Sequence, residues 1–584
     1  MPMDEGITIE YTQDGTIDLN GKPVLRSKTG RWKACSFLVV YGIFERMAYY
    51  GISSNLFVYL TKKLHQGTVT SSNNVTNWIG TIFMTPILGA YIADAHLGRY
   101  WTFVISALIY LSGMCLLTLS VSLPSLKPPK CHEMDVTKCK EASTQTLVVF
   151  YTALYILAVG TGGTKPNIST IGADQFDDFD PKEKALKLSF FNWWMSYIVM
   201  GSLFAFTILV YVQDNVSWTL GYALPTIGLA ISIITFLAGT PFYRHKLIKG
   251  SPFISMAKVF VAAIRKFDIV VPNDPKELYE LSLKEYTKKG KFKIDLTQTF
   301  RFLNKACVDT GSSASDEWML CTVTQVEETK QILSLVPIWV ATFIPSAMIA
   351  QINTLFVKQG TTLNRSIGNF HIPPSSLAAF TILTMIITYI LYESFIVKIM
   401  QKLTKNPRGI TLLQRMSIGF IIHIVIMIVA FMIERQRLSV VKKHEVPLSI
   451  FILLPQFILM GVAEALLEGA KMEFFYDQAP ESMKSLGTSY SLTTTGIGSF
   501  LSTFLLSAVS HVTEKHGRRG WILNNLNASH LDYYYAFLAI LNVINFVFFV
   551  VVSKFYVHRA DISNSLKVLE AKLTEKKISN HILP

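Results

Sequence analysis

Glu45 and Arg46 sit inside an apolar stretch, residues 34–60. It is long enough to cross a bilayer, which takes roughly 20 residues at about 1.5 Å each. A carboxylate and a guanidinium there cost a few kcal/mol unless they face protein or a water-filled path. Gly42, Glu45, Arg46 and Tyr49 are spaced i, i+3, i+4, i+7, which puts them on one helix face. Lys165 and Glu464 interrupt two other apolar runs in the same way. Carboxylates that can take up a proton, and cations that can hold a substrate carboxylate, are the chemistry of a coupled transport path. The competing chemistry is ion-pair glue between helices.

These residues need a membrane scaffold to hold them, and the composition supplies one. The chain has 584 residues, 50% of them hydrophobic and only 16% charged, where soluble domains carry about 25% charged residues. Mean hydropathy is +0.36. Apolar runs predict helices over residues 34–60, 75–95, 100–121, 145–171, 188–212 and 219–241. A second set is predicted over residues 331–356, 374–398, 412–433, 448–472, 485–511 and 531–556. The segments are therefore a tail (1–33), a six-helix bundle (34–241), a polar Lys-rich loop (242–328), a second bundle (329–556) and a tail (557–584). No apolar core of a secretory signal precedes the first helix, which is expected to act as the insertion signal.

The net charge of +14 gathers in both tails and the central loop, which the positive-inside rule places in the cytoplasm. That account replaces nucleic-acid binding. Sequons at Asn74, Asn215, Asn364 and Asn527 then all fall on the opposite side, and the one at Asn167 is expected to go unused. Arg435, Arg437, Lys442 and Lys443 violate the rule locally. Cys131 and Cys139 share one loop and can pair if it faces an oxidising side. Cys35 and Cys115 read as small apolar helix residues. No metal-ligand spacing is present, and no cofactor is expected.

Six plus six helices around a central cytoplasmic loop is the plan of the major facilitator superfamily, an all-α membrane fold of 12 transmembrane helices in two six-helix bundles. The stretch from Gly89 through Asp94 and Gly98 to Arg99 resembles that superfamily's Gly-x-x-x-Asp-x-x-x-Gly-Arg signature, with Asp94 and Arg99 as a conformational latch. Phe44-Glu45-Arg46-Met-Ala-Tyr49-Tyr50-Gly51 resembles the helix 1 motif of the proton-coupled oligopeptide transporters. Gly160-Thr-Gly-Gly-Thr-Lys165-Pro166, Gly172-Ala-Asp174-Gln175-Phe176 and Ser189-Phe-Phe-Asn192-Trp are similar to further motifs of that family. Phe300-Arg-Phe-Leu-Asn-Lys-Ala306, the run from Trp318 to Glu328, the run from Asn406 to Arg415, and Glu473-Phe-Phe-Tyr-Asp-Gln-Ala-Pro480 resemble the plant nitrate/peptide transporter branch.

The resemblance implies that Glu45, Arg46, Lys165 and Glu464 form the proton-coupling and salt-bridge set. Lys165 and Glu464 would pair across the bundles and part as they rock. Tyr49, Tyr50, Lys165, Trp339, Gln351 and Glu464 would line the substrate site, with Tyr41 and Trp194 as further candidates. Thr102 stands where a related plant nitrate carrier has a regulatory phosphothreonine. Glu468 and Lys471 read as a paired site near the inner vestibule, with Glu468 a possible replacement proton site.

Three departures qualify the match. Gly42 stands where the family has a glutamate, which removes one proton acceptor and leaves space beside Tyr49 and Tyr50. Ile198-Val199-Met200-Gly201 lacks the family's helix 5 asparagine. Ile349 occupies the position of the histidine of plant nitrate carriers.

The expected function is a secondary carrier working by alternating access with proton coupling. Its partners are a small-molecule substrate, protons and the lipid bilayer, and no nucleic acid. The substrate is a di- or tripeptide, or a carboxylate-bearing plant metabolite or hormone, and the host is the plasma or vacuolar membrane. An uncoupled facilitator or exchanger, a nitrate carrier, and a substrate sensor with little flux remain as alternatives. An enzyme is not expected, because no nucleophile–base pair or metal cluster stands in the helices.

Overall fold

The computed structural model describes residues 11–556 except residues 13, 129–138, 178, 247–249, 273, 275–276, 283–284, 286–292, 312–317, 406–407, 481–482 and 516–519. Cys131, the Asn406-Pro pair and the C-terminal tail thus lie outside the described residues; Cys139, the other expected disulfide cysteine, is disulfide-bonded.

The first half holds α1 (Arg31–Ser53), α2 (Leu56–Lys62), α3 (Thr68–Ile92), α4 (Gly98–Ser122), α5 (Thr144–Ala173), α6 (Pro181–Phe204) and α7 (Trp218–Ala238). After α8 (Pro252–Arg265) come α9 (Val323–Ser334), α10 (Val336–Ala341), α11 (Phe343–Ile349) and α12 (Leu355–Gly360). Then follow α13 (Ala378–Leu391), α14 (Val397–Thr404), α15 (Leu412–Lys442), α16 (Leu454–Gln478), α17 (Lys484–Glu514) and α18 (Leu531–Phe555). Among the described residues, nine stretches are long and apolar enough to cross a membrane, and the bent run Val323–Gly360 makes ten. The 55-residue stretch Thr68–Ser122 would be about 80 Å as one helix, more than twice a bilayer core. It breaks at Gly98 (φ 75°) into α3 and α4. Counting α3 and α4 separately and adding α1, whose hydropathy Glu45 and Arg46 depress, gives twelve candidate crossings among the described residues.

Helix ends follow local chemistry. Thr322 and Thr411 open α9 and α15 with capping boxes to Gln325 and Gln414, each satisfying backbone donors that a helix start leaves free. The Thr322 cap starts α9 at Val323, ahead of residue 329. Asn74 is not a loop residue: it lies within α3, its Nδ2 donating to Tyr151 Oη at 2.6 Å and to Gln66 at 3.2 Å.

The described chain divides into two compact units. The first (residues 11–249, 342–469 and 492–546) has two ends of different chemistry. At one, the N-terminal segment is bound by charge. Arg244 donates to Glu183 Oε2 at 2.7 Å and to the Thr29 carbonyl at 2.8 Å. Arg31 reaches Glu183 at 2.7 Å and Arg26 reaches Asp177 at 2.6 Å. Gly30 (φ 73°) has no room for a Cβ, which would fall 2.3 Å from the Arg244 guanidinium.

At the far end, small polar side chains join helices from the two halves of the sequence. Asn73 donates to Ser507 at 2.8 Å, Thr503 bonds Thr76 at 2.6 Å and Asn77 at 2.9 Å, and Asn55 accepts from Ser375 at 3.1 Å. Arg437, one of the charges that violated the topology rule, is buried at this end. It pairs with Glu434 at 2.6 Å and donates to Asn527 at 2.7 Å, while Glu434 also accepts from Gln359 at 2.8 Å. It is thus a packing residue rather than a topology signal.

The second unit (residues 250–341, 470–491 and 547–556) has its own core, including Val259, Ala262, Leu303, Ala306, Cys307, Cys321 and Val326. Burial raises the pKa of both thiols, that of Cys321 to about 11, which leaves them protonated and unreactive. Burial also lowers the pKa of the Lys266 ammonium, which donates to the Val308 carbonyl at 2.6 Å.

Candidate functional site

Close helix packing brings the charges together. A Cβ on Gly89 would stand 2.1 Å from the Gly162 carbonyl, one on Gly160 2.4 Å from the Tyr110 nitrogen, and one on Gly163 1.9 Å from Ser106 Oγ. The Gly-Thr-Gly-Gly run therefore lets α5 lie directly on α3 and α4. Pro166 donates no hydrogen bond to the Gly162 carbonyl one turn back, at the point where α3 makes this approach. Lys165 is the residue before that proline, and the packing fixes where its side chain goes.

The Lys165 ammonium lies 4.0 Å over the Tyr49 ring and 4.3 Å over Phe83. It is buried and makes no hydrogen bond. The expected pair with Glu464 is therefore not formed in this conformation. Tyr49 packs edge-on to Tyr50 at 4.9 Å, and Tyr50 lies within electrostatic range of Glu464 in α16. Glu45 is 4% exposed; its Oε2 stands 3.3 Å from Arg46 Nε, and its Oε1 is enclosed without a hydrogen-bond partner. Arg46 and Glu45 both act electrostatically on Lys165.

A buried ammonium and a buried carboxylate oxygen, each lacking a hydrogen bond, are expensive to hold. Helix glue would satisfy them. Left as they are, Lys165 can accept an anion, and Glu45 can accept a proton or an ammonium.

Several expected residues lie elsewhere. Gln351 is 1% exposed and donates to Ser502 Oγ and the Ala347 carbonyl, both at 3.2 Å, so it packs within the second half rather than beside Lys165. Trp339, in the second unit, stacks on Tyr490 at 5.0 Å and donates to its carbonyl at 2.9 Å. The space expected beside Gly42 is not open: a Cβ there would meet Trp194 Cη2 at 2.8 Å. Thr102 is 4% exposed, so a kinase would reach it only if this end of α4 left its neighbours. Ile349 is half-buried.

The latch is wider than its signature. Arg99 is 3.8 Å from Asp94 but 2.5 Å from Asp174, and Lys246 also approaches Asp174 at 3.5 Å. Sequence reasoning missed Asp174 in this role, although it lies within a quoted motif. It also missed Phe83 and the seating of Trp194 on Gly42, for which the sequence carries no signal.

Residues 100–522 match the model of the PTR2 family, described as the POT family. Protein NRT1/PTR FAMILY 5.2 of Arabidopsis thaliana is 63% identical over 580 residues, covering 98% of this chain and 99% of that protein. Protein NRT1/PTR FAMILY 5.3 of the same plant is 61% identical, with 97% of each covered. Among solved structures, that of an auto-inhibited POT family peptide transporter superposes with a TM-score of 0.67 at 20% identity, over 90% of this chain and 97% of that one. At that identity the likeness shows the fold: a major facilitator fold of twelve helices in two bundles.

Proposed function

The chain belongs to the POT family of integral membrane transporters, and we propose that it is a proton-coupled secondary carrier for small organic solutes bearing a carboxylate. Di- and tripeptides and carboxylate-bearing plant metabolites or hormones meet that description. The observation that carries the proposal is the Lys165 ammonium, buried and unbonded on the Tyr49 and Phe83 rings. A substrate carboxylate gives it the charge-assisted hydrogen bond it lacks.

Glu45 is the proton site in this reading. Its free oxygen takes a proton when substrate occupies Lys165, and Glu464 pairs with Lys165 when substrate leaves. Each ligand biases the inward- and outward-facing states by its differential affinity for them. The tail end faces the cytoplasm and the far end, with the four sequons, faces outward. Membranes suited to such a carrier are the plasma and vacuolar membranes. Nitrate is disfavoured, because Ile349 offers no charge or donor at the position where plant nitrate carriers have histidine.

Uptake of labelled carboxylates against their matched amides tests the reading. The native chain should prefer the acid, and Lys165→Ala should lose uptake while reaching the cell surface in normal amount. Equal uptake of acid and amide would overturn it.

A further inference from the structure

The far end of α15 holds a feature that the transport site does not use. Ile418, Ile421, Val425, Ile428 and Met432 form one exposed apolar stripe along this helix, with alternating steps of three and four residues. In a membrane helix that stripe faces lipid. The same register continues into Arg435, Ser439 and Lys442, which are also exposed. Arg435 stands only about 4.5 Å further along the axis than Met432, where the apolar stripe gives way to charge.

A cavity of about 510 Å³ opens there, with Arg435, Lys442 and Lys443 on its α15 side. Neither Arg435 nor Lys442 has an ion pair or side-chain hydrogen bond with a described residue. Tyr533, exposed in the first turn of α18, lines the same cavity, in the manner of an interfacial aromatic. Beside it, Asp532 is 6% exposed and its Oδ1 has no hydrogen-bond partner. His530 Nδ1 stands 3.7 Å from that oxygen, outside hydrogen-bond range.

Two free cations at the rim and one enclosed carboxylate oxygen at the wall without a hydrogen bond, its nearest charge partner a histidine 3.7 Å away, ask for a zwitterion. We propose that this cavity binds the headgroup of an aminophospholipid, a phosphate joined to a primary ammonium. The phosphate lies against Arg435 and Lys442, the ammonium donates to Asp532, and the acyl chains run down the apolar stripe below Met432. A phosphate-only headgroup leaves Asp532 unmet. A quaternary ammonium has no N–H to give it. Three of the four basic residues that break the charge rule of this end are thereby accounted for: Arg437 packs inside the bundle, and Arg435 and Lys442 hold lipid phosphate; the fourth, Lys443, stands 4.0 Å from Glu445.

Native mass spectrometry of the purified full-length chain, titrated with phosphatidylethanolamine, phosphatidylcholine, phosphatidylglycerol and free O-phosphoethanolamine, tests this. Phosphatidylethanolamine should bind about tenfold more tightly than the other two lipids, the effect of one charge-assisted hydrogen bond. Asp532→Asn should erase that preference while still binding all three, so each lipid ratio is read within one folded sample. Arg435→Ala with Lys442→Ala should weaken all three by about tenfold or more. Equal binding of phosphatidylethanolamine and phosphatidylcholine by the native chain would overturn the proposal. So would unchanged binding in the double variant. Free O-phosphoethanolamine binding as tightly as the lipid would overturn the lipid assignment in favour of a soluble zwitterion.

Discussion

Trp194 fills the space that Gly42 leaves on α1: a Cβ on Gly42 would stand 2.8 Å from Cη2 of the indole. The ring is 5% exposed and packs on Phe190 at 5.7 Å, so it cannot move without opening a gap. Gly42 and Trp194 are thus a matched pair, the absent side chain on α1 making room for the indole from α6.

Placing an acid at position 42 alone should therefore fail. Gly42→Glu is expected to destabilise the protein by about 1–3 kcal/mol through overpacking, seen as a lower melting temperature in detergent. Trp194→Ala should cost less stability in the Gly42→Glu background than in the native chain, because the two positions share one space. A Gly42→Glu variant as stable as the native chain would show that Trp194 moves freely.

The buried pair at the far end gives a larger effect. Glu434 and Arg437 are 0% and 2% exposed and bond at 2.6 Å. Arg437→Met should cost about 3–5 kcal/mol, because it leaves a carboxylate enclosed without its cation. Glu434→Gln with Arg437→Met should regain most of this. Thermal unfolding of the native chain and the two variants by tryptophan fluorescence checks the order.

The twelve apolar runs were legible because hydropathy is a property of each segment alone, and the observed helices lie over all of the expected ones. The four ionisable residues stood out for the converse reason, being costly in lipid. What escaped was pairing across sequence. Nothing in the local composition says that Trp194 sits on Gly42, that Gln351 turns to Ser502, or that Arg437 finds Asn527 ninety residues on. Asn74 looked like a loop acceptor because Ser71, Ser72, Asn73 and Asn74 are polar. In fact their helix is where Asn73 meets Ser507 and Asn74 meets Tyr151.

His245 should make the N-terminal strap sensitive to acid. Its backbone pairs with Ile17 through two 2.9 Å hydrogen bonds, its ring stands edge-on to Tyr100 at 5.1 Å, and its Nε2 is buried without a partner. Burial lowers its pKa below the ordinary imidazole value of 6.5, with Asp174 and Asp18 opposing the shift. The fold thus favours the neutral ring. Its contribution to stability is complete above the unfolded value and is lost as pH falls below about 6.5, until the folded ring also protonates. Corrected for the base-catalysed intrinsic rate, the protection of residues 14–30 against hydrogen exchange should fall on acidification across that range. In His245→Gln the acid-dependent part should vanish.

The central claim is that Lys165 holds a substrate carboxylate while Glu45 takes the proton. Substrate-evoked current in voltage-clamped oocytes, at acid and at neutral pH, tests it most directly, comparing the native chain with Glu45→Gln and Lys165→Ala at equal surface expression. The account predicts an inward current with the native chain, larger at acid pH. It predicts no current or flux with Lys165→Ala. Glu45→Gln should retain substrate exchange but lose the acid-driven current. Acid-stimulated current in Glu45→Gln equal to that of the native chain, or normal flux in Lys165→Ala, would contradict it.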